Sequence, residues 1–171
     1  LAVDETNLDR AVAALRAGRA EIERWTRLSC EVDGREIAEA TSELFLGEAR
    51  RLEISRHLLA APEGTEEEQK GSGLLVATGA GSTGFAGAYL DRFARTAPEA
   101  RWALTEPFPR GHAHALARGT LPAGETLTVR SRNDGDGIAA SDSVESVPFP
   151  YGALARIRIS DRPLLAVRCP P

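Results

Sequence analysis

Leu74-Leu75-Val76-Ala77-Thr78 runs directly into Gly79-Ala80-Gly81-Ser82-Thr83-Gly84-Phe85-Ala86-Gly87-Ala88. An apolar strand that empties into a glycine-rich turn leaves backbone N–H groups bare, and such groups can approach a ligand carrying phosphates or hydroxyls. Gly79-x-Gly81-x-x-Gly84 spells a dinucleotide-binding fingerprint, and Glu106 stands about 20 residues further on, where that fingerprint wants a carboxylate for a ribose. Ser82 also approximates a nucleophile elbow, with Ala80 in place of the first glycine and with His112 and His114 following in a workable order. One chemistry is a cradle for phosphates and the other a covalent nucleophile. The elements that carry the turn must separate them.

Those elements are mostly strands. A lead-in helix is predicted over about residues 4–18, with Thr6 and Asp9 in near capping-box spacing, an apolar stripe of Leu8, Val12 and Leu15, and Gly18 as its stop. Period-two alternation from Glu21 to Val32 leads into an Asp33-Gly34 hairpin turn and a returning strand from Arg35 to about Leu46. Leu52 to Leu59 reads as a further strand, and Pro62 to Gly73 as an acidic, turn-rich loop. After the glycine turn a second helix is predicted to about Arg95, and then short strands follow: Arg101–Thr105, Glu125–Arg132, Gly137–Ala140, Val144–Phe149, Ala153–Ser160 and Leu164–Arg168. This is an α+β, β-rich chain, an antiparallel series with two helices, read as one domain over residues 1–171. Both first readings of the turn lose ground here. A dinucleotide fold alternates strands with crossover helices and a nucleophile elbow sits on a mostly parallel sheet, whereas only one strand–turn–helix unit is found. His57, His112 and His114 then read as ordinary polar residues.

Composition narrows the partners. The 171 residues carry a formal charge of −4, with 42% hydrophobic content and 5% aromatics. The chain is long enough for a real core and has no basic footprint for nucleic acid or an anionic membrane surface. No apolar run approaches the ~18 residues of a membrane span. Of the 21 cations only Lys70 is a lysine, and the arginine excess reads as surface usage. Cys30 and Cys169 are far apart and form no C-x-x-C spacing, which points to reduced thiols and a cytoplasmic setting. The chain begins at Leu1 and contains no methionine, so it is expected to be a fragment.

The order of several motifs resembles the C-terminal domain of NAD kinases. Ser42-Glu43-Leu44-Phe45-Leu46-Gly47-Glu48 precedes Gly71-Ser72-Gly73-Leu74, and the turn Thr78-Gly79-Ala80-Gly81-Ser82-Thr83-Gly84-Phe85 follows. The family has an Asn-Glu or Asn-Asp pair, a Gly-Asp-Gly-Leu strand and a Thr-Pro-Thr-Gly-Ser-Thr-Ala-Tyr turn in the same order. The match is nearest the mitochondrial-type branch, where the pair reads Asn-Glu-Val-Phe-Ile-Gly-Glu and the strand begins Ser-Gly. The resemblance implies a β-sandwich-like domain that normally packs on a separate domain carrying a Gly-Gly-Asp-Gly motif and the catalytic aspartate. That motif is absent here.

What the resemblance implies for residues is specific. Glu43 matches the acidic member of the pair that contacts bound nucleotide, and Ser42 replaces its asparagine. Gly81, Ser82 and Thr83 match Gly-Ser-Thr, Gly84 and Phe85 replace Ala-Tyr, and Ala88 continues a small face on which a base or ribose can lie. The nucleotide carboxylate thereby moves from Glu106 to Glu43. Ser72 stands where many relatives have aspartate, and Asp142 matches an Asp-Gly turn and is taken as a turn residue. The activity implied is transfer of the ATP γ-phosphoryl group to the 2′-hydroxyl of NAD, giving NADP. This chain would hold NAD without supplying a catalytic residue or a metal ligand, and ATP and Mg²⁺ would be handled by the missing domain. Homo-oligomerisation is implied by the family as well. The alternatives are a non-catalytic nucleotide sensor of the same fold, a lipid or sugar kinase of the wider superfamily and, last, a serine hydrolase acting through Ser82.

Overall fold

The computed structural model describes residues 5–50, 52–108 and 114–168. One α-helix, α1 (Leu8–Arg16), precedes fourteen strands among them: β1 (Glu21–Trp25), β2 (Leu28–Val32), β3 (Arg35–Glu36), β4 (Glu43–Glu48), β5 (Ser55–Ala60), β6 (Glu66–Gly71), β7 (Gly73–Ala77), β8 (Glu99–Thr105), β9 (Arg118–Pro122), β10 (Leu127–Ser131), β11 (Gly137–Ser141), β12 (Glu145–Pro148), β13 (Leu154–Ile159) and β14 (Leu164–Arg168). Two six-stranded antiparallel sheets, in the orders β3-β2-β13-β10-β5-β6 and β12-β11-β4-β7-β8-β9, share one core, and β1 and β14 pair as a separate ribbon. Leu28, Leu59, Leu127, Val129 and Ile157 of the first sheet meet Leu44, Leu46, Leu74, Val76, Trp102 and Leu121 of the second. The alternation that predicts these strands is the pattern that closes the sandwich, because every second side chain must leave water.

Several expectations are corrected. The stretch from Arg35 to Leu46 is two strands in different sheets: β3 hairpins back on β2 through Asp33 and Gly34, both at positive φ, and the chain then crosses to open β4 in the other sheet. The stretch from Glu21 to Val32 also divides. At Thr26 the backbone N–H turns to the Arg95 carbonyl and the hydroxyl donates to Ala97 O, so β1 leaves the sandwich to meet β14. The acidic stretch expected as loop forms β6, an edge strand. Its charged side chains Glu66, Glu68 and Lys70 point away from the core while Gln69 and Gly71 are buried, and a charged edge resists pairing with other chains. Strand β9 lies outside every predicted segment.

Neither helix is as expected. In α1 the stripe Leu8, Val12 and Leu15 is exposed and Ala11 and Ala14 are the buried residues; Asn7 stands at the N-cap but its side chain does not cap the helix, and Gly18 at φ +65° does end the turn. The second helix is absent. Two short 3-10 turns, Gly81–Thr83 and Phe85–Ala88, stand in its place, so the described residues contain one α-helix rather than two. Gly81, Gly84 and Gly87 disfavour a helix, and the Ser82 and Thr83 hydroxyls donate back to Gly79 O and Ala80 O, competing with the helical ladder.

His57 lies fully inside the first sheet, its Nε2 2.9 Å from Gln69 Oε1. Burial holds its imidazole down at about 4 against an ordinary 6.5, the Gln69 contact opposing in part. A folded value below the unfolded one means that the neutral ring's contribution is complete above pH 6.5 and is lost as pH falls toward 4. Stability is expected to drop by about 3 kcal/mol over that window, and denaturant titrations of His57→Gln should show a flatter profile. An unchanged slope in the variant would remove His57 as the cause.

Candidate functional site

The glycine turn folds back over the outer face of the second sheet. There Leu75 and Ala77 of β7 and Ala103 of β8 form a small apolar floor under Ala86, Leu90 and Tyr89. Thr78 makes the corner. Its N–H donates to Ser42 O at 2.9 Å, its hydroxyl to Thr41 O at 2.5 Å, and the same hydroxyl accepts from the Ala80 N–H at 3.1 Å. The turn is therefore tied to the residues that open β4.

Asp142 ties those residues from the other side. Its Oδ2 accepts the Thr41 N–H at 2.6 Å, and its Oδ1 accepts the N–H groups of Ser42 and Glu43, each at 2.9 Å. The residue sits at φ +46°, a left-handed conformation that aspartate tolerates, and its own N–H donates to Glu43 O. The role is larger than the turn position expected from sequence. Asp142 fixes the backbone that carries Ser42 and Glu43.

Gly81 lets the turn reach that backbone. A Cβ on Gly81 would lie 2.4 Å from Ser42 O and 2.8 Å from Glu43 Oε2, so only a glycine allows this approach. Glu43 is half-buried beside it, and among the described residues its Oε2 has no hydrogen-bond partner. Burial, and then the Asp142 charge, raise the Glu43 carboxyl above its ordinary value. A carboxylate oxygen buried without a donor is costly, and the Gly81 turn that covers it shares that cost.

The remaining predicted residues divide in two. Ser82 is buried, donates to Gly79 O at 2.8 Å and accepts the Phe93 N–H at 3.2 Å, so its hydroxyl holds the turn together. Thr83, Gly84, Phe85 and Ala88 are on the exposed side, and the Phe85 ring, 49% exposed, meets Tyr89 edge-on at 5.8 Å between centroids. His114 lies 3.7 Å from Glu67 and makes no contact with Ser82, while His112 and Cys169 fall outside the described residues. Nothing in this geometry supports a serine nucleophile.

Sequence reasoning missed a pocket beside the turn. A cavity of about 260 Å³ is walled by Phe45, Phe85, Tyr89 and Ile138, with Glu48, Ser72 and Glu106 as its main polar groups. Phe45 lies flat because Gly47 and Gly73 leave room: a Cβ on either would come within 2.8 Å of its ring. Ser72 donates to Glu106 Oε2 at 2.5 Å, so the carboxylate first picked out by its spacing from the turn returns to the site on a different footing. The -Phe45-x-Gly47-Glu48- spacing was the available signal. A larger cavity of about 660 Å³ lies on the other sheet, where Arg56 pairs with Asp134, Arg132 with Glu68 at 3.9 Å, and Lys70 with the Phe108 ring at 4.3 Å. Those cations are already occupied.

Among the described residues no group of three His, Cys, Asp or Glu side chains is placed to hold a metal ion, and no helix is long and apolar enough to cross a membrane. The chain matches no family model and no curated protein. Solved structures do match. A yeast NADH kinase in complex with NADH superposes with a TM-score of 0.83 at 13% identity, over 98% of this chain and 52% of that one. An NAD kinase from Archaeoglobus fulgidus in complex with ATP gives 0.70 at 22% identity, over 94% of this chain and 59% of that one. The chain thus spans little more than half the length of either kinase, and its antiparallel sandwich has the fold of their β-rich domain.

Proposed function

We propose that this chain is the dinucleotide-holding part of an NAD kinase of the mitochondrial-type branch, an enzyme that moves the γ-phosphoryl group of ATP to the 2′-hydroxyl of NAD and yields NADP. The observation that carries the reading is the meeting of Glu43 with the glycine turn at Gly81, a half-buried carboxylate with one oxygen unpartnered among the described residues, beside a turn whose Thr83, Gly84 and Phe85 are exposed, on a fold shared with two NAD(H) kinases.

The division of labour follows from the chemistry of each group. Glu43 accepts hydrogen bonds from ribose hydroxyls or a base amino group, and Ser42 adds a hydroxyl beside it. Thr83 and Phe85 offer a hydroxyl and a ring face on the exposed side of the turn, and Gly84 and Ala88 leave room for a sugar or base to lie close. Gly81 and Ser82 keep the turn in shape. In this reading the chain supplies position and no proton transfer. In this reading ATP, Mg²⁺ and the catalytic carboxylate are handled by the other part of such an enzyme. We place the protein in the cytoplasm as a homo-oligomer. The ribbon of β1 and β14 exposes Ile22, Leu165 and Val167, apolar side chains suited to a protein contact.

The direct test is NADP formation by the intact protein supplied with NAD, ATP and Mg²⁺; folded protein that makes none sinks the reading. Glu43→Gln is expected to weaken NAD binding about tenfold, the scale of one hydrogen bond to a charged acceptor. The same variant should be more stable at neutral pH. A carboxyl raised in the folded state contributes fully below its unfolded value of 4.5 and loses that contribution as pH rises through the folded value, so the amide removes the loss. Calorimetric titration with NAD and thermal melts at pH 4 and pH 7 check both halves. A variant that binds as wild type would remove Glu43 from the site.

A further inference from the structure

The larger cavity, on the outer face of the first sheet, holds an arrangement of charge that the nucleotide reading does not use. Arg56 of β5 stands directly opposite Lys70 of β6. On its other side the Arg132 N–H donates to Arg56 O at 2.9 Å, which continues the β10–β5 register and sets Arg132 opposite Arg56 as well. Each of the three has buried residues on both sides of it in the chain, so all three side chains leave the sheet on its outer face. Three cations therefore lie in one row across three strands.

Such a row costs stability, because like charges directly opposite one another repel. The same face opposes unlike charges elsewhere: Arg156 of β13 stands opposite Glu31 of β2 and pairs with it at 3.2 Å. The chain carries a net charge of −4 and a single lysine, and that lysine stands in the row. Carboxylates occupy two of the three cations, Asp134 on Arg56 and Glu68 at 3.9 Å from Arg132, but their side chains are 74% and 77% exposed. Pairs so exposed contribute little, and either carboxylate can turn into water. Lys70 meets no carboxylate among the described residues and lies over the Phe108 ring at 4.3 Å.

The row is also held in place. Buried Asn133 accepts the Arg56 N–H on its Oδ1 at 2.9 Å, which ties the end of β10 to β5. The Arg132 guanidinium lies 5.6 Å from the centre of the Tyr151 ring and donates to the Tyr151 hydroxyl at 3.4 Å. Cations fixed before a ligand arrives lose less freedom when it binds. A cavity of about 660 Å³ opens among them. One phosphate group bridges one gap of ~4.8 Å between neighbouring strands, and two or three linked phosphates bridge both gaps.

We propose that the cavity of Arg56, Lys70, Arg132 and Tyr151 binds a compact anion of two or three linked phosphates, on the opposite side of the sandwich from the glycine turn. On binding, Asp134 and Glu68 give up their cations to phosphate oxygens and turn to water. The site stands apart from the NAD kinase reading, since none of its residues touches Glu43 or the turn.

The experiment titrates inorganic triphosphate by calorimetry into the intact protein at low salt, with EDTA present. Triphosphate should bind wild type and bind less well as salt is added. Lys70→Gln and Arg132→Gln should each weaken it about tenfold. Asp134→Asn and Glu68→Gln remove its competitors, so each should tighten it about two- to threefold, a gain that a damaged fold cannot produce. Circular dichroism checks the folding of all four variants. Competition with ATP separates two sources of the same chemistry: displacement admits the phosphates of a nucleotide, and no displacement restricts the site to inorganic chains. Absence of binding, or equal affinity in wild type, Lys70→Gln and Arg132→Gln, overturns the proposal, as does a loss seen only in Gly81→Ala. NADP formation without triphosphate binding leaves the kinase reading in place and removes this site. Triphosphate bound through Lys70 in a protein that forms no NADP does the reverse.

Discussion

Asparagine in place of Asp142 is expected to lower stability by about 2 kcal/mol and NAD affinity by about tenfold, although the substitution changes a single atom from oxygen to nitrogen. The two carboxylate oxygens have separate duties: Oδ2 accepts from Thr41, and Oδ1 accepts from Ser42 and Glu43. An amide retains one oxygen, so its NH2 must face a backbone N–H, and whichever way it turns at least one donor is left without an acceptor. Asparagine tolerates the left-handed backbone at this position, so the loss reports the hydrogen bonds rather than the turn. Losing the negative charge also lowers the Glu43 carboxyl, because Asp142 is the second cause of its raised value. Any acid limb of NAD binding that follows Glu43 should therefore move to lower pH in the variant. Urea titration and calorimetry across pH 4–8 measure both effects. Wild-type stability together with wild-type affinity would show that the three contacts carry no weight.

Gly81→Ala should be more damaging to binding than to the fold. The added methyl would stand 2.4 Å from Ser42 O and 2.8 Å from Glu43 Oε2, and the carbonyl cannot swing away without giving up the Thr78 N–H that it accepts. Overpacking of this kind costs about 1–3 kcal/mol, and the strain is relieved by lifting the turn from β4. Lifting the turn separates Glu43 from Thr83 and Phe85, so NAD affinity should fall by about a hundredfold, well beyond the loss from Glu43→Gln. Far-UV circular dichroism should remain close to wild type, since both six-stranded sheets are untouched. Retained binding would mean that the turn and Glu43 act independently.

Much of the sandwich is legible in alternation and turn residues. Asp33-Gly34 marks its hairpin because two consecutive positive φ angles demand such residues, and the strands after Leu127 fall within a few residues of their predicted bounds. Sheet membership is not legible. In the sequence the alternation of Ala38, Ala40, Ser42 and Leu44 runs through the crossing without a break, whereas the core takes Ile37, Ala40, Leu44 and Leu46 and both residues of β3 are exposed, so the period of the sequence marks neither strand's end. Strand β6 is hidden for the opposite reason: an edge position lets Glu66, Glu68 and Lys70 stay in water, so its composition resembles that of a loop.

The candidate site divides in the same way. Glu43 and the turn could be singled out because local motifs carry them. The clasp by Asp142 could not, because its partners lie 99 to 101 residues away and leave no local pattern. The pocket of Glu48 and Glu106 draws on residues from β4, the 3-10 turns and the end of β8, and only the pleat of the sheet brings them together.

The long reach from Asp142 to Thr41 also says when the site comes into being. A loop of about a hundred residues must close before its carboxylate finds those three N–H groups, and closure of that length belongs late in folding. During synthesis the glycine turn and Glu43 leave the ribosome well before β11 does, and for that interval both are present without the brace that orients them. Until Asp142 has emerged and docked, Thr41, Ser42 and Glu43 lack the carboxylate that holds their N–H groups, so the site is completed only together with the sandwich that surrounds it.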